Sequence, residues 1–336
     1  MTALGVLWFF LIFLLIAGYF VFDGFDLGAG VLYPFLAKND EERSLIRHSI
    51  GPVWDGNEVW LLTAGGALFA AFAPAYATTF SGFYLAIMLV LFGLIVRAVS
   101  VEFVDRDPAW AKVWNICFFV GSLLPALLFG VAVGNVYAGI PMDANGDYAG
   151  VPLLGLVTPF TLLCGLLGLA MFMAAGASWI ALKAPEASEL RVRASSMRRI
   201  LQIVALVLFV CLSVYAHFGP HPDMDPNLTV VRFALAIAVV LALGVALMWN
   251  GNPDRDLQVF IAQSVAAVML VFLLAASLFP NLVVASAGSV GASITVATAA
   301  SSDLALSWMT GIACIGVPIV LFYHVLVYRT FRGRLE

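Results

Sequence analysis

Nine stretches of about twenty or more nearly uninterrupted apolar residues run through this chain, and no other feature narrows its fold as sharply. They fall at 4–36, 53–73, 78–99, 112–138, 153–182, 198–218, 229–250, 258–279 and 303–328. A helix needs about 20 apolar residues to cross roughly 30 Å of hydrocarbon. A membrane barrel strand instead alternates apolar and polar residues in segments of about ten. The runs here are continuous, so they predict an all-α polytopic membrane protein of about nine helices. The whole of 1–336 reads as a single integral-membrane domain, and nine helices divide naturally into two four-helix groups plus one peripheral helix. Composition agrees: 63% of the 336 residues are hydrophobic and only 11% are charged, against about 25% charged in an ordinary soluble domain. The first, fourth, fifth and ninth runs exceed the bilayer and are expected to tilt or protrude. The first has no basic residues ahead of it and outruns a signal-peptide core, so it counts as a helix.

Basic residues orient the chain. Lys38, Arg43 and Arg47 follow the first run, and Arg97, Arg106 and Lys112 lie near the next junction on that side. Lys183, Arg191, Arg193, Arg198, Arg199, Arg255, Arg329, Arg332 and Arg334 complete the set, so 15 of the 16 Lys and Arg residues fall on one side and only Arg232 on the other. The positive-inside rule makes that side cytoplasmic, with the N-terminus outside and the C-terminus inside a bacterial plasma membrane. An odd number of crossings is required, and nine meets it. The small net charge of −4 argues against a nucleic-acid partner. Cys117, Cys164, Cys211 and Cys314 sit singly in different runs and read as small hydrophobes.

Ionisable residues inside apolar runs are the candidates for chemistry, because burying a charge there costs about 2.5–3.5 kcal/mol. Asp23 and Asp26 share a face of the first helix at a spacing of three. Two carboxylates so close cannot both ionise cheaply in a low dielectric, so at least one is expected to hold a proton and the pair suits proton relay. The bland alternative is that one aspartate caps a helix break at Gly24 and the other pairs with Arg97 or a partner chain. Gly24 and Gly28 have the small-xxx-small spacing of close helix packing. Asp55 and Glu58 enter the second run in Trp54-Asp55-Gly56-Asn57-Glu58-Val59-Trp60. They read as a proton entry or as first-turn acids favoured by the helix dipole, with Trp54 and Trp60 as an interfacial belt. Arg97 is explained by snorkelling toward the interface, and Asp303 by the N-terminal cap of the last helix.

No metal site is expected. His48 lies in the first cytoplasmic segment and His324 near the inner end of the last run. His217 and His221 are spaced i, i+4, but Pro220 between them makes helical geometry unlikely, and a loop is expected. Without a pair of histidines deep in facing helices, the chain is expected to bind no haem of its own.

The segments Asp23-Gly24-Phe25-Asp26-Leu27-Gly28 and Trp54-Asp55-Gly56-Asn57-Glu58-Val59-Trp60-Leu61 resemble subunit II of cytochrome bd-type ubiquinol oxidases, including the cyanide-insensitive branch. The resemblance continues through Thr63 to Ala71, Phe80 to Tyr84, Gly121-Ser122, Gly130 to Asn135 and Leu278-Phe279-Pro280. It implies a nine-helix subunit II paired with a subunit I that carries haems b and haem d. It also implies a complex that oxidises ubiquinol or menaquinol and reduces oxygen to water, with quinone bound in the complex and a small single-helix subunit as a further partner. Carried onto this sequence, it makes Asp55 the leading proton-path acid, with Asp23, Asp26 and Glu58 behind it. Two other classes stay open on the residues alone. A secondary transporter or channel would call for an inverted repeat with matching broken helices, and a structural scaffold would use its acids only for partner contacts.

Overall fold

The computed structural model describes residues 1–220 and 224–335. The chain is helical apart from one short hairpin. α1 (Ala3–Leu36) is followed by α2 (Asp40–Ile50), α3 (Trp54–Ala71), α4 (Ala73–Gly82), α5 (Tyr84–Phe103), α6 (Ala111–Ala138), α7 (Pro159–Lys183), α8 (Glu189–Phe218), α9 (Thr229–Trp249) and α10 (Asp256–Leu278). Strands β1 (Asn281–Val283) and β2 (Ile294–Thr295) pair antiparallel, and α11 (Val296–Ala299) and α12 (Asp303–Thr330) close the chain. In hydrocarbon every backbone N–H and C=O must be satisfied within its own segment, which is why apolar runs become helices. Polar residues at the ends finish them. Thr2, Asn39, Ser188 and Ser302 each accept from a backbone N–H three residues on, and Thr158 with Thr161 forms a reciprocal box at α7.

Among the described residues, eight helices are long and apolar enough to cross a membrane, and α3 is not one of them. Its first turns hold Asp55, Asn57 and Glu58, which dilute an otherwise apolar run. Contacts between loops nevertheless make α3 a crossing. At one end Arg47 pairs with Asp105 at 2.6 Å and Arg193 with Glu42. At the other, Thr78 Oγ1 donates to the Gly146 carbonyl at 2.9 Å and Ser301 N to that of Ala71 at 2.8 Å. Counting α3, the described residues pass between these ends nine times.

In chain order the helices divide into two sets of four that are joined along α6 and α7 and along α1 and α7. α1, α3, α5 and α6 form the first, and α7 to α10 form the second. α1 is the shared spine, packed on α3, α6, α7, α10 and α12. Its crossing with α7 is a backbone-to-backbone approach, since a Cβ on Gly28 would stand 1.8 Å from the Phe172 carbonyl oxygen and one on Gly176 2.3 Å from the Ala29 nitrogen. Gly24 likewise abuts the Phe172 ring. These glycines are packing residues, as their spacing suggested. α12 is the peripheral helix. It touches α1 and α3 and leaves Trp308, Ile312, Ile315, Ile319 and Phe322 exposed.

Several boundaries differ from the apolar runs. The third run starts inside α4, and the helices part between Gly82 and Tyr84. Residues 153–158 precede α7 as a short turn, with Thr158 as its cap. α8 begins nine residues before its run, because Glu189 to Arg199 is too polar for hydropathy to register as helix. The amphipathic α2 was invisible for the same reason. Its acids Asp40, Glu41 and Glu42 in the first turn and Arg47 and His48 in the last complement the helix dipole. Cys211 and Cys314 are exposed on the helix surface rather than buried.

Candidate functional site: a buried acid cluster

α1 runs unbroken through Asp23-Gly24-Phe25-Asp26, so neither aspartate caps a break. Both are fully buried, on the face turned toward α3 and α5. The Arg97 Nη2 donates to Asp23 Oδ1 and to Glu58 Oε1, each at 2.6 Å. Arg97 is 1% exposed; it does not snorkel, because two carboxylates hold it inside. Asp26 takes a different partner. Its Oδ2 accepts from Asn57 Nδ2 at 2.7 Å, and Asn57 Oδ1 accepts from the Tyr328 hydroxyl at 3.0 Å. The second Asn57 Nδ2 contact, 3.1 Å to the Phe22 carbonyl, fixes the amide orientation. Two acids, from α1 and α3, thus share one guanidinium from α5, and a third is held by an amide, with a tyrosine from α12 at the edge.

Glu58 is the cluster's outward member, its side chain 26% exposed. Asp55 stands one turn earlier on α3. It is exposed and supplies no hydrogen bond or ion pair to the cluster. The structure therefore brings Asp23, Asp26 and Glu58 together and leaves Asp55 at the mouth. Trp60 is buried rather than interfacial. Its indole N–H donates to His324 Nε2 at 3.1 Å, while His324 Nδ1 lies 2.9 Å from the Val320 carbonyl. Both ring nitrogens of His324 are occupied, with the proton on Nδ1. His48 is turned to Ser44 at the surface, and His217 is exposed near the end of α8. His221 lies outside the described residues. Among the described histidines, only His324 is buried within the bundle, and both of its ring nitrogens are engaged.

Sequence reasoning missed Asn57 and Tyr328 as members, while Arg97 was offered there as the alternative partner of one aspartate and pairs with Asp23. The signal for Asn57 was present, a strong polar residue between two acids entering an apolar run. Nothing local announced Tyr328, which reaches the cluster only because α12 packs on α1 and α3.

A second ionic cluster was missed altogether. Asp256, 1% exposed at the start of α10, accepts from Arg191 Nε and Nη2 at 3.0 and 2.9 Å and from Arg198 Nη1 at 3.1 Å. Arg334 Nη2 adds a third partner at 3.3 Å. Arg198 also donates to Asn250 Oδ1 at 2.6 Å and to Ser195 Oγ at 3.2 Å. From sequence these arginines were counted only as surface charges that set orientation.

The fold and its clusters define a class: a polytopic helical membrane protein with buried ion pairs. The family model described as cytochrome bd terminal oxidase subunit II matches residues 4–331. Over 366 residues the chain is 36% identical to a probable cytochrome oxidase subunit 2 of Haemophilus influenzae, covering 99% of this chain and 95% of that one. It is 35% identical to cytochrome bd-I ubiquinol oxidase subunit 2 of Escherichia coli K12, with the same coverage. It is 36% identical to cytochrome bd ubiquinol oxidase subunit 2 of Bacillus subtilis, covering 100% and 98%. The fold also matches a chain of the bd oxidase of Geobacillus thermodenitrificans, with a TM-score of 0.80 at 14% identity over 98% of this chain and 99% of that one. The chain belongs to the cytochrome bd terminal oxidase subunit II family and is a subunit of a membrane oxidoreductase complex.

Proposed function

We propose that this chain is the haem-free subunit of a complex that oxidises ubiquinol or menaquinol and reduces oxygen to water, and that it carries protons to the partner from the basic end. The single observation behind the proton role is charge balance. Asp23, Asp26 and Glu58 face one guanidinium, so full ionisation would leave two uncompensated charges in an apolar bundle. Protons on the acids remove that cost, and acids that hold protons at depth can pass them on.

The route begins at exposed Asp55, steps one turn along α3 to Glu58, and continues to Asp23 and Asp26 beside Arg97. The basic end faces the cytoplasm, with the N-terminus outside. Haems b and haem d belong to subunit I. It covers the α3 side, where Val59, Leu62 and Phe69 are exposed beside the outward apolar faces of α5 and α12. A helix as polar as α3 is poorly suited to lipid, and a protein neighbour relieves that. A small single-helix subunit and bound quinone complete the assembly.

Asp26→Asn and Glu58→Gln keep shape while removing the exchangeable proton. Each should slow quinol-driven oxygen consumption per haem by at least about tenfold, since a positioned proton-transfer group typically contributes about 10²–10⁴-fold. Complex yield and haem spectrum should be unchanged. Normal turnover in both variants rejects the proton role. So does a lower yield with normal turnover per complex, which marks the acids as packing residues.

A further inference from the structure

We propose that Tyr19 is the innermost member of the proton route, and that its hydroxyl joins Asp23, Asp26 and Arg97 in holding internal water that carries the proton. The inference rests on the reading of the acid cluster as a proton path and adds to it a residue and a bound molecule.

Four buried polar atoms in this part of the bundle have no hydrogen-bond partner in the protein: Tyr19 Oη, Asp23 Oδ2, Asp26 Oδ1 and Arg97 Nη1. Three of them follow one another along α1, and Arg97 joins at Asp23. Tyr19 and Asp23 are four residues apart and Asp23 and Asp26 three apart on α1, so all three project from one face. Arg97 is tied to Asp23 by the 2.6 Å bond from its other terminal nitrogen. Each orphaned polar atom costs about 1–3 kcal/mol if left dry, and more for a charged group. Four such costs along one helix face are met most simply by internal water, each molecule of which needs two to four polar partners.

The chemistry of the set is complementary. Arg97 Nη1 only donates, the carboxylate oxygens accept, and a phenol does both. A water among them accepts from Arg97 and donates to a carboxylate, and Tyr19 completes its shell. Such a water takes a proton from one group as it gives one to the next, with no net change in charge. Depth adds the direction. At about 1.5 Å per residue, Asp26, Asp23 and Tyr19 stand about 15, 20 and 26 Å from the Leu36 end of α1. Tyr19 therefore brings the polar chain to the middle of the helix. Beyond it the ring meets Phe129 edge-on at 5.2 Å and Phe20 at 6.1 Å. The phenol is thus held by apolar packing while its hydroxyl is left to the cluster.

Tyr19→Phe in the intact complex isolates the hydroxyl, because the ring packing is retained. Oxygen consumption per haem should fall roughly threefold, less than for the carboxyl variants because water partly substitutes for a missing hydroxyl. The solvent deuterium isotope effect on turnover should rise. An infrared O–H band sensitive to H₂¹⁸O in the parent complex should shift or vanish. Parent-like turnover, isotope effect and water band in Tyr19→Phe, with Asp26→Asn still slow, overturn the Tyr19 assignment and leave the acid path standing. Parent-like turnover in both variants removes the acid path and Tyr19 with it. Reduced yield or heat stability with parent-like turnover and isotope effect makes Tyr19 a packing residue and also overturns the proposal.

Discussion

The two buried charge clusters are built on opposite imbalances, and the chemistry of their surplus groups separates their roles. In the first helix group, Asp23 and Glu58 share Arg97, and Asp26 beside them has only the Asn57 amide. In the second, Asp256 alone faces Arg191, Arg198 and Arg334. Carboxyl groups can shed an unaffordable charge by taking a proton. Guanidinium groups cannot, since they stay protonated at every accessible pH. The acid-rich cluster is therefore adjustable, and the arginine-rich cluster must be neutralised permanently by fixed partners. Its hydrogen bonds follow that requirement. Both Asp256 oxygens are used, Asn250 and Ser195 take further donors of Arg198, and Arg334 Nη1 reaches the Ala181 and Ala184 carbonyls at 2.9 and 2.8 Å. Those carbonyls form the C-terminus of α7, the negative end of its dipole. One cluster is suited to moving protons and the other to holding helices together.

The largest expected effect follows from that difference. Asp256→Leu strands buried cations with no means of neutralising themselves, and removing one partner of a buried pair typically costs about 3–5 kcal/mol. The complex should be recovered in much lower yield, with a lower detergent melting temperature and near-normal turnover in whatever assembles. Arg97→Leu is the mirror experiment. Its stranded acids can take up protons, so assembly should survive better than in Asp256→Leu while turnover is lost. If Arg97→Leu proves the less stable of the two, the proposed division of labour fails.

The nine crossings were legible because hydrocarbon leaves a chain few choices and each run satisfies its own backbone. Asp23, Asp26 and Glu58 were legible because charge is conspicuous in an apolar run. What was not legible depends on neighbours. Hydropathy assigned Arg97 to the interface, and only the packing of α5 against α1 and α3 turns it inward. Trp60 had the composition of an interfacial residue but is a buried donor to His324, 264 residues away. Asp256 and Arg198 are separated by 58 residues and paired by the fold. The polar starts of α2 and α8 escaped for a different reason, since a helix outside the bilayer needs no apolar run.

A smaller effect should sharpen the link between the two regions. After α12, Lys183 Nζ donates to the Phe331 carbonyl and Leu335 N to that of Lys183, while Arg334 enters the second cluster. The same helix reaches the first cluster through Tyr328. This tail fastens a peripheral helix whose main contacts are otherwise with α1 and α3. Arg334→Ala should lower stability by about 1.5–3 kcal/mol, the usual worth of hydrogen bonds to a charged group. It should also raise hydrogen exchange in the last turns of α12. Unchanged exchange there would mean that contact with α1 and α3 alone fixes the helix.

The smallest effect is expected at Asp55, and it bears on where the acid-rich region begins. The sequence favoured this residue because it leads the Asp-Gly-Asn-Glu run into the bilayer. The structure leaves it exposed, three residues ahead of Glu58 and outside the hydrogen-bonded set. An entry acid in contact with water gathers protons for the group behind it, but water can reach Glu58 by other paths, since that side chain is itself partly exposed. Asp55→Asn should therefore slow oxygen consumption about two- to threefold, well short of the loss expected from removing a positioned proton-transfer group. Yield and haem spectrum should not change, because an exposed first-turn acid contributes only about 0.3–1 kcal/mol through the helix dipole. A loss as large as that of Asp26→Asn would make Asp55 an obligatory step, which requires the partner subunit to seal every other approach to Glu58. Full activity would move the entrance to Glu58 and confine the proton-bearing region to the buried acids alone.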